Sequence, residues 1–260
     1  MNILISNDDG YNAPGILTLK EHLDRFAKVT LVAPSKERSA TGHSITIKNP
    51  LKVEKQADDL YIVSGTPTDC IKYSLLTLFK DNKPNLIVSG INKGGNIGDD
   101  VTYSGTVAVA MEGIIYGIPS IAVSLVTKFT TSHPNPEKEI LHFDTAGKFV
   151  TKLIKTLDLT KFPKNTLLNI NVPNLPYEKL KGISFSTLGN RTYEEKFTEE
   201  KNPFGETMHW FTATGRTFHD KDGSDSQAIL NDKISISPLH LDLTNHAFLK
   251  TMRTSWNIEL

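Results

Sequence analysis

The sequence predicts an α/β fold: an open, mostly parallel sheet covered by helices on both faces, followed by a C-terminal third of different character. Three observations carry this. Short, nearly continuous apolar runs alternate with helical patterns up to about residue 175, the signature of a buried parallel sheet. The apolar runs end in clusters of Asp, Asn, Ser and Gly, as expected at the carboxyl ends of strands that build a ligand site. After about residue 175 the alternation gives way to polar, aromatic, hairpin-like sequence.

Asn2–Ser6 reads as a buried first strand. Gly15–Phe26 carries Ile16, Leu17, Leu19, Leu23 and Phe26 near helical spacing behind Pro14, a residue suited to a first helical turn. Lys28–Ala33 is a strand ended by Pro34. Leu51–Val63 reads as extended segments turning across Gln56–Asp59. Thr66-Pro67-Thr68-Asp69 has the look of a helix start and opens a helix over Cys70–Phe79. Asn85–Ser89 is a strand, and the polar run from Ser89 to Asp100 is its following loop. Ser104 or Thr106 starts a helix to Tyr116 that Gly117 caps. Ser120–Leu125 is a strand, Phe143–Leu157 a helix, and Leu167–Val172 a strand ended by Pro173. Beyond it come a short strand at Ile183–Phe185 and a hairpin across Arg191–Phe211 turning at Pro203-Phe204-Gly205. A loop at Lys221–Asp225 opens a helix at Ser226–Leu230; a strand at Lys233–Ser237 and an amphipathic segment at His246–Trp256 complete the chain. Residues 1–175 form the expected core, and 176–260 an arm and self-association region that completes the fold.

Composition narrows the function classes. The 260 residues are 38% hydrophobic and 22% charged, as in ordinary globular proteins. Lys plus Arg and Asp plus Glu both number 29, so no general polyanion-binding surface is expected. A single cysteine, Cys70, allows no internal disulfide and no thiolate cluster. No apolar run approaches the roughly 20 residues that span a bilayer, and no signal-peptide pattern leads the chain, so the expected location is cytoplasmic.

The polar strand ends hold the candidate chemistry. Asp8 and Asp9 are adjacent like charges, which a hard cation such as Mg²⁺ or Mn²⁺ relieves; an Asn-Asp-Asp-Gly run is otherwise simply a turn. Asn92 and Asn96 offer amide oxygens to a metal or amide donors to a phosphate, beside Gly94, Gly95 and Gly98, which permit close backbone approach. The spacing matches neither the dinucleotide fingerprint nor a Walker A loop. Ser104-Gly105-Thr106 opens a helix, where backbone N–H groups and the dipole favour an anion; simple N-capping is the alternative. Ser39 could ligate or hydrogen-bond, and Arg38 could hold a phosphate or carboxylate. The sequence lacks the Asp-x-Asp of aspartyl-phosphate enzymes and the Arg six residues after Cys70 that a tyrosine-phosphatase loop requires. It also lacks a Gly-x-Ser-x-Gly elbow and histidine spacing for zinc.

In order, Asn7-Asp8-Asp9-Gly10, Ala13-Pro14-Gly15, Ala33-Pro34, Arg38-Ser39, Gly65-Thr66-Pro67-Thr68-Asp69-Cys70, Ser89-Gly90-Ile91-Asn92, Gly94, Asn96, Gly98 and Asp100 form a specific series. Val101-x-Tyr103-Ser104-Gly105-Thr106-Val107, Met111-Glu112-Gly113, Leu168-Asn169-Ile170-Asn171-Val172-Pro173 and Asp222-Gly223-Ser224-Asp225 extend it over nearly the whole chain. The chain thereby resembles the SurE survival-protein family of metal-dependent nucleoside monophosphate phosphatases. The resemblance implies a Rossmann-like fold with a C-terminal β-hairpin arm and a tail exchanged in dimers or tetramers. It implies one divalent cation per subunit, Mg²⁺ or Mn²⁺, on Asp8, Asp9, Ser39 and Asn92, with Asn96, Ser104, Gly105 and Thr106 on the phosphate. The expected reaction is hydrolysis of nucleoside 5′- and 3′-monophosphates by metal-activated water, with Asp8 or Asp9 as base and short polyphosphate a further candidate substrate. A non-catalytic nucleotide-binding module and an interaction protein acting through its aromatic arm are the rival readings. Ala40 stands where the family often has Gly, and Asp222-Gly223-Ser224-Asp225 replaces its usual Glu-Gly-Thr-Asp.

Overall fold

The computed structural model describes residues 1–127, 139–219 and 222–258. A nine-stranded sheet has the order β3-β4-β2-β1-β5-β6-β7-β11-β8, and β9 and β10 pair separately as the hairpin arm. The strands are β1 (Asn2–Ser6), β2 (Lys28–Pro34), β3 (Val53–Ala57), β4 (Leu60–Val63), β5 (Leu86–Lys93), β6 (Ser120–Val126), β7 (Thr166–Pro173), β8 (Ile183–Phe185), β9 (Asn190–Lys201), β10 (Thr207–His219) and β11 (Ile234–His240). From β4 to β7 every pairing is parallel; β3 and β11 join antiparallel to β4 and β7, and β8 runs parallel to β11. The helices are α1 (Pro14–Asp24), α2 (Pro67–Tyr73), α3 (Gly105–Ile115), α4 (Phe143–Thr156), α5 (Asp225–Leu230) and α6 (His246–Ser255).

The two sheet faces have separate cores because successive strand residues point to opposite sides. Ile3 and Ile5 of β1 pack with Ile16, Leu19 and Leu23 of α1 and Phe149 and Val150 of α4. Leu4 points the other way, to Cys70 and Ile71 of α2 and Val109 of α3. Helix α2 begins with a capping box: Thr66 Oγ1 accepts from Asp69 N–H at 3.2 Å, and Asp69 Oδ2 accepts from Thr66 N–H at 2.8 Å. The expected helix start at Cys70 therefore moves back to Pro67, and the segment continues as a π-type turn over Ser74–Leu78.

One further expectation is revised. The strand expected to end at Ser89 runs on to Lys93, because pairing with β6 resumes at Asn92–Ser124 after an irregularity beyond Ser89. Gly90 makes that irregularity feasible: its φ is +126°, and a Cβ there would sit 2.3 Å from Val123 O. In the C-terminal third, the expected strands at Ile183–Phe185 and Lys233–Ser237 form as β8 and β11 and extend the main sheet beside the hairpin arm. Lys221, the first residue of the expected loop before α5, lies outside the described residues.

Candidate active site

Strand order reverses direction between β1 and β5: from β1 the chain proceeds outward to β2 and β4, and from β5 it proceeds the other way to β6 and β7. Such a switch point opens a crevice at the strands' carboxyl ends. The loops after β1, β2 and β5 meet there. Asn7 locks the first loop, its Nδ2 donating to Gly10 O at 2.8 Å and its Oδ1 accepting from Gly10 N–H at 3.2 Å. Arg38 N–H donates to Asp8 O at 2.7 Å and Tyr11 N–H to Pro34 O at 3.0 Å, stitching the loops after β1 and β2 together. Lys93 N–H donates to Asp9 Oδ2 at 3.2 Å, which ties in the end of β5.

Asp8 is buried beneath the first turn of α3. The Thr106 hydroxyl donates to Asp8 Oδ1 in a short hydrogen bond. Gly105 closes over the same carboxylate: a Cβ there would lie 2.7 Å from Asp8 Cβ and 2.9 Å from Oδ2, so only glycine fits. Burial pushes the Asp8 carboxyl above the ordinary carboxylate range, opposed by hydrogen bonds from the Thr106 hydroxyl and from backbone at Asp8, Thr106 and Gly105. Burial, and then the charge of Asp8, push Asp9 up to about 6. Among the described residues no ion pair involves Asp8 or Asp9.

The other candidates fall into distinct settings. Asn92 stands at the end of β5, where Nδ2 donates to Gly94 O at 2.9 Å and the carbonyl end takes no hydrogen bond among the described residues. Ser39 is exposed on the loop after β2, its hydroxyl donating to Glu37 Oε1 at 2.8 Å. Ser104 caps α3 by accepting from Val107 N–H at 3.0 Å. Asn96 is buried, and Nδ2 donates to Ser124 Oγ at 2.8 Å. Hydrogen bonding and packing thus join Asp8, Gly105 and Thr106 directly, Asp9 is tied to Lys93 at the end of β5, and Asn96 enters through the loop that carries it.

The residues that hold that loop belong to the Leu168–Pro173 motif, to which the sequence assigned no role. Asn169 and Asn171 of β7 donate to Asn96 O at 2.8 and 3.0 Å, and Asn171 Oδ1 accepts from Asn96 N–H at 2.9 Å. Asparagines recurring at every second residue of a buried strand were the available signal, since a strand sends them to one face. Cys70 is buried and its thiol is pushed up by burial, consistent with a packing role and not a nucleophile.

The donor set suits a hard cation. Two carboxylates and neutral amide and hydroxyl oxygens are oxygen ligands of the type Mg²⁺ and Mn²⁺ take, and a buried carboxylate with no cationic partner is otherwise costly. Among the described residues no cluster of three or more His, Cys, Asp or Glu forms, so a site here relies on the neutral oxygens as well.

Comparison with known proteins agrees with this geometry. The family model described as Survival protein SurE matches residues 3–195. The 5′-nucleotidase SurE of Geobacter metallireducens is 42% identical over 254 residues, covering 98% of this chain and 97% of the relative. That of Nitrosomonas eutropha is 44% identical over 246 residues, covering 95% of each. The crystal structure of the SurE protein from Aquifex aeolicus superposes with a TM-score of 0.82 at 41% identity, over 98% of this chain and 99% of that one. With the family model matching residues 3–195 and relatives matching almost end to end, the chain belongs to the SurE survival-protein family.

Proposed function

We propose that this protein is a metal-dependent phosphomonoesterase that hydrolyses nucleoside 5′-monophosphates, and 3′-monophosphates as well, to nucleoside and phosphate. The observation that carries the reading is the buried Asp8 carboxylate, with no cationic partner among the described residues, beside Asp9 and set against the first turn of α3. Relatives named 5′-nucleotidase, matched over nearly the full chain, support the substrate class.

In this reading Asp8, Asp9, Asn92 and Ser39 hold one divalent cation. Bound there, the cation supplies positive charge for the phosphate oxygens and makes a bound water more acidic. Thr106 and the backbone of Gly105 fix Asp8, which keeps one ligand rigid. Asp9, the less buried of the two carboxylates, is the one suited to take the proton of the attacking water. The first turn of α3 and the Asn96 loop then face the charge that develops on the phosphoryl oxygens. No covalent enzyme intermediate is needed.

The proposed assembly is a homo-oligomer. Helix α6 buries none of its residues, and Leu243, Phe248, Trp256 and Ile258 along this segment are exposed. Such a segment suits docking onto a second copy. Among the described residues no helix is long and apolar enough to cross a membrane. The deciding experiment is phosphate release from a panel of nucleoside 5′- and 3′-monophosphates, metal-free and with Mg²⁺ or Mn²⁺, beside Asp9→Asn. Metal-dependent release lost in the variant supports the reading; folded protein that releases nothing under either metal refutes it and favours a binding module.

A further inference from the structure

Asp225 stands at the start of α5, apart from the cluster around Asp8, yet its carboxylate reaches the glycine loop. Oδ2 accepts from Gly98 N–H at 2.8 Å. Oδ1 accepts from Gly189 N–H and from Ser226 N–H, each at 2.8 Å. Asp225 is fully buried, and its own N–H donates to Thr187 O at 2.9 Å. The three segments meet without spare room. A Cβ on Gly98 would lie 2.5 Å from Gly189 O, and a Cβ on Gly189 would lie 2.9 Å from Ser226 Oγ and 3.0 Å from Asp225 Oδ1. Gly189 immediately precedes β9, so it is the base of the hairpin arm.

The chemistry of the junction calls for a carboxylate. Backbone donors approach both oxygens, and an ionised carboxyl is the side chain that accepts at both ends; an asparagine accepts at one and turns an NH₂ toward the other. Gly98 lies two residues from Asn96, whose backbone is held by Asn169 and Asn171 of β7. The loop is therefore clamped between β7 and α5.

Resting on the phosphomonoesterase reading above, the geometry points to Asp225 as a positioning residue for that reaction. Its carboxylate ties the arm base at Gly189 to the glycine loop at Gly98, and so sets where Asn96 stands relative to Asp8. Both oxygens of Asp225 are taken by backbone N–H groups, so it acts through the loop.

The test compares full-length wild type, Asp225→Asn and Ser224→Ala by nucleoside monophosphate kinetics in Mn²⁺, inhibition by inorganic phosphate, and Mn²⁺ titration. Ser224→Ala removes the α5 cap but leaves the carboxylate contacts, so it reports general loosening of α5. In Asp225→Asn the KM and the phosphate Ki are expected to rise together about tenfold or more, while Mn²⁺ affinity stays within threefold. In Ser224→Ala all three stay within threefold. A folded Asp225→Asn with unmoved KM and Ki overturns the assignment, as does the same defect in Ser224→Ala. If Asp225→Asn does not fold, Gly189→Ala crowds the same carboxylate and is expected to raise the Ki; an unmoved Ki overturns the assignment. Amide exchange on the wild type needs no variant: exchange at Gly98 and Gly189 as fast as in an open loop overturns it. A wild type that releases no phosphate removes the enzymatic reading and this one with it, whereas an active wild type with unmoved variants removes only this one.

Discussion

Replacing Asp9 by Asn is expected to make the metal-free protein more stable while abolishing phosphate release. Burial and the Asp8 charge raise the Asp9 carboxyl from 3.8 to about 6. The folded state therefore holds a proton that the unfolded chain has already released, and stability falls as pH rises between those values. Above about pH 6 the full cost applies, a gap of roughly two pH units or about 3 kcal/mol. Asn keeps an acceptor for Lys93 N–H and carries no charge. In chelator at pH 7.5 the variant should gain up to about 3 kcal/mol, which for a chain of this size raises Tm by roughly 6–12 °C. At pH 4.5 the gain should shrink to about 1 kcal/mol, because the wild-type carboxyl is then protonated in the fold. Saturating Mn²⁺ should narrow or reverse the difference, since a cation at a hundred times its Kd adds about 2.7 kcal/mol to the protein that binds it. Thermal and urea unfolding across this pH range, with and without Mn²⁺, measure all of this. A variant no more stable than wild type in chelator at pH 7.5, or a gain undiminished at pH 4.5, would refute the argument that desolvation and like-charge repulsion are held in this site for function.

Four other outcomes follow from the same geometry. Thr106→Val deletes the buried donor to Asp8 and should lower kcat/KM about tenfold to a hundredfold, the worth of one hydrogen bond to a charged group, whereas Thr106→Ser should retain most activity. Gly105→Ala places a Cβ 2.7 Å from Asp8 Cβ, so it should cost about 1–3 kcal/mol in unfolding experiments and displace the carboxylate enough to impair Mn²⁺ binding by calorimetry. Gly15→Ala sets a Cβ 1.9 Å from Ile91 O, a backbone atom, and should destabilise by more than about 3 kcal/mol and lower the yield of folded protein. Truncation after Asp242 removes the exposed segment containing α6 and should reduce the oligomer size seen by light scattering while leaving a folded core.

Much of the fold was legible because buried parallel strands and amphipathic helices leave periodic apolar patterns, as at Ile3-Leu4-Ile5 and along α1. The adjacent carboxylates Asp8 and Asp9 stood out for a similar local reason: polar residues abruptly ending an apolar strand. The continuation of β5 through Gly90 was hidden, because a run such as Ser89–Lys93 reads as loop until β6 supplies its partners. Asp225 was visible as part of a motif, but its role was not. The distance from Asp225 to Gly98 is short in space and long in sequence, with the two residues 127 positions apart.

By itself the sequence determined the α/β class, the order of strands and helices, and the residue types a cation and a phosphate require. Those properties are local: spacing, capping and side-chain chemistry act within a turn or two. The tertiary structure decided which of them meet. It placed Thr106 on Asp8, Lys93 on Asp9, the Asn169–Asn171 pair on Asn96 and Asp225 on two glycines. It also raised the carboxyl of Asp9 to about 6. Each of these depends on burial and on contacts between distant segments, and desolvation and directional hydrogen bonds have no value until the sheet has brought the strand ends together.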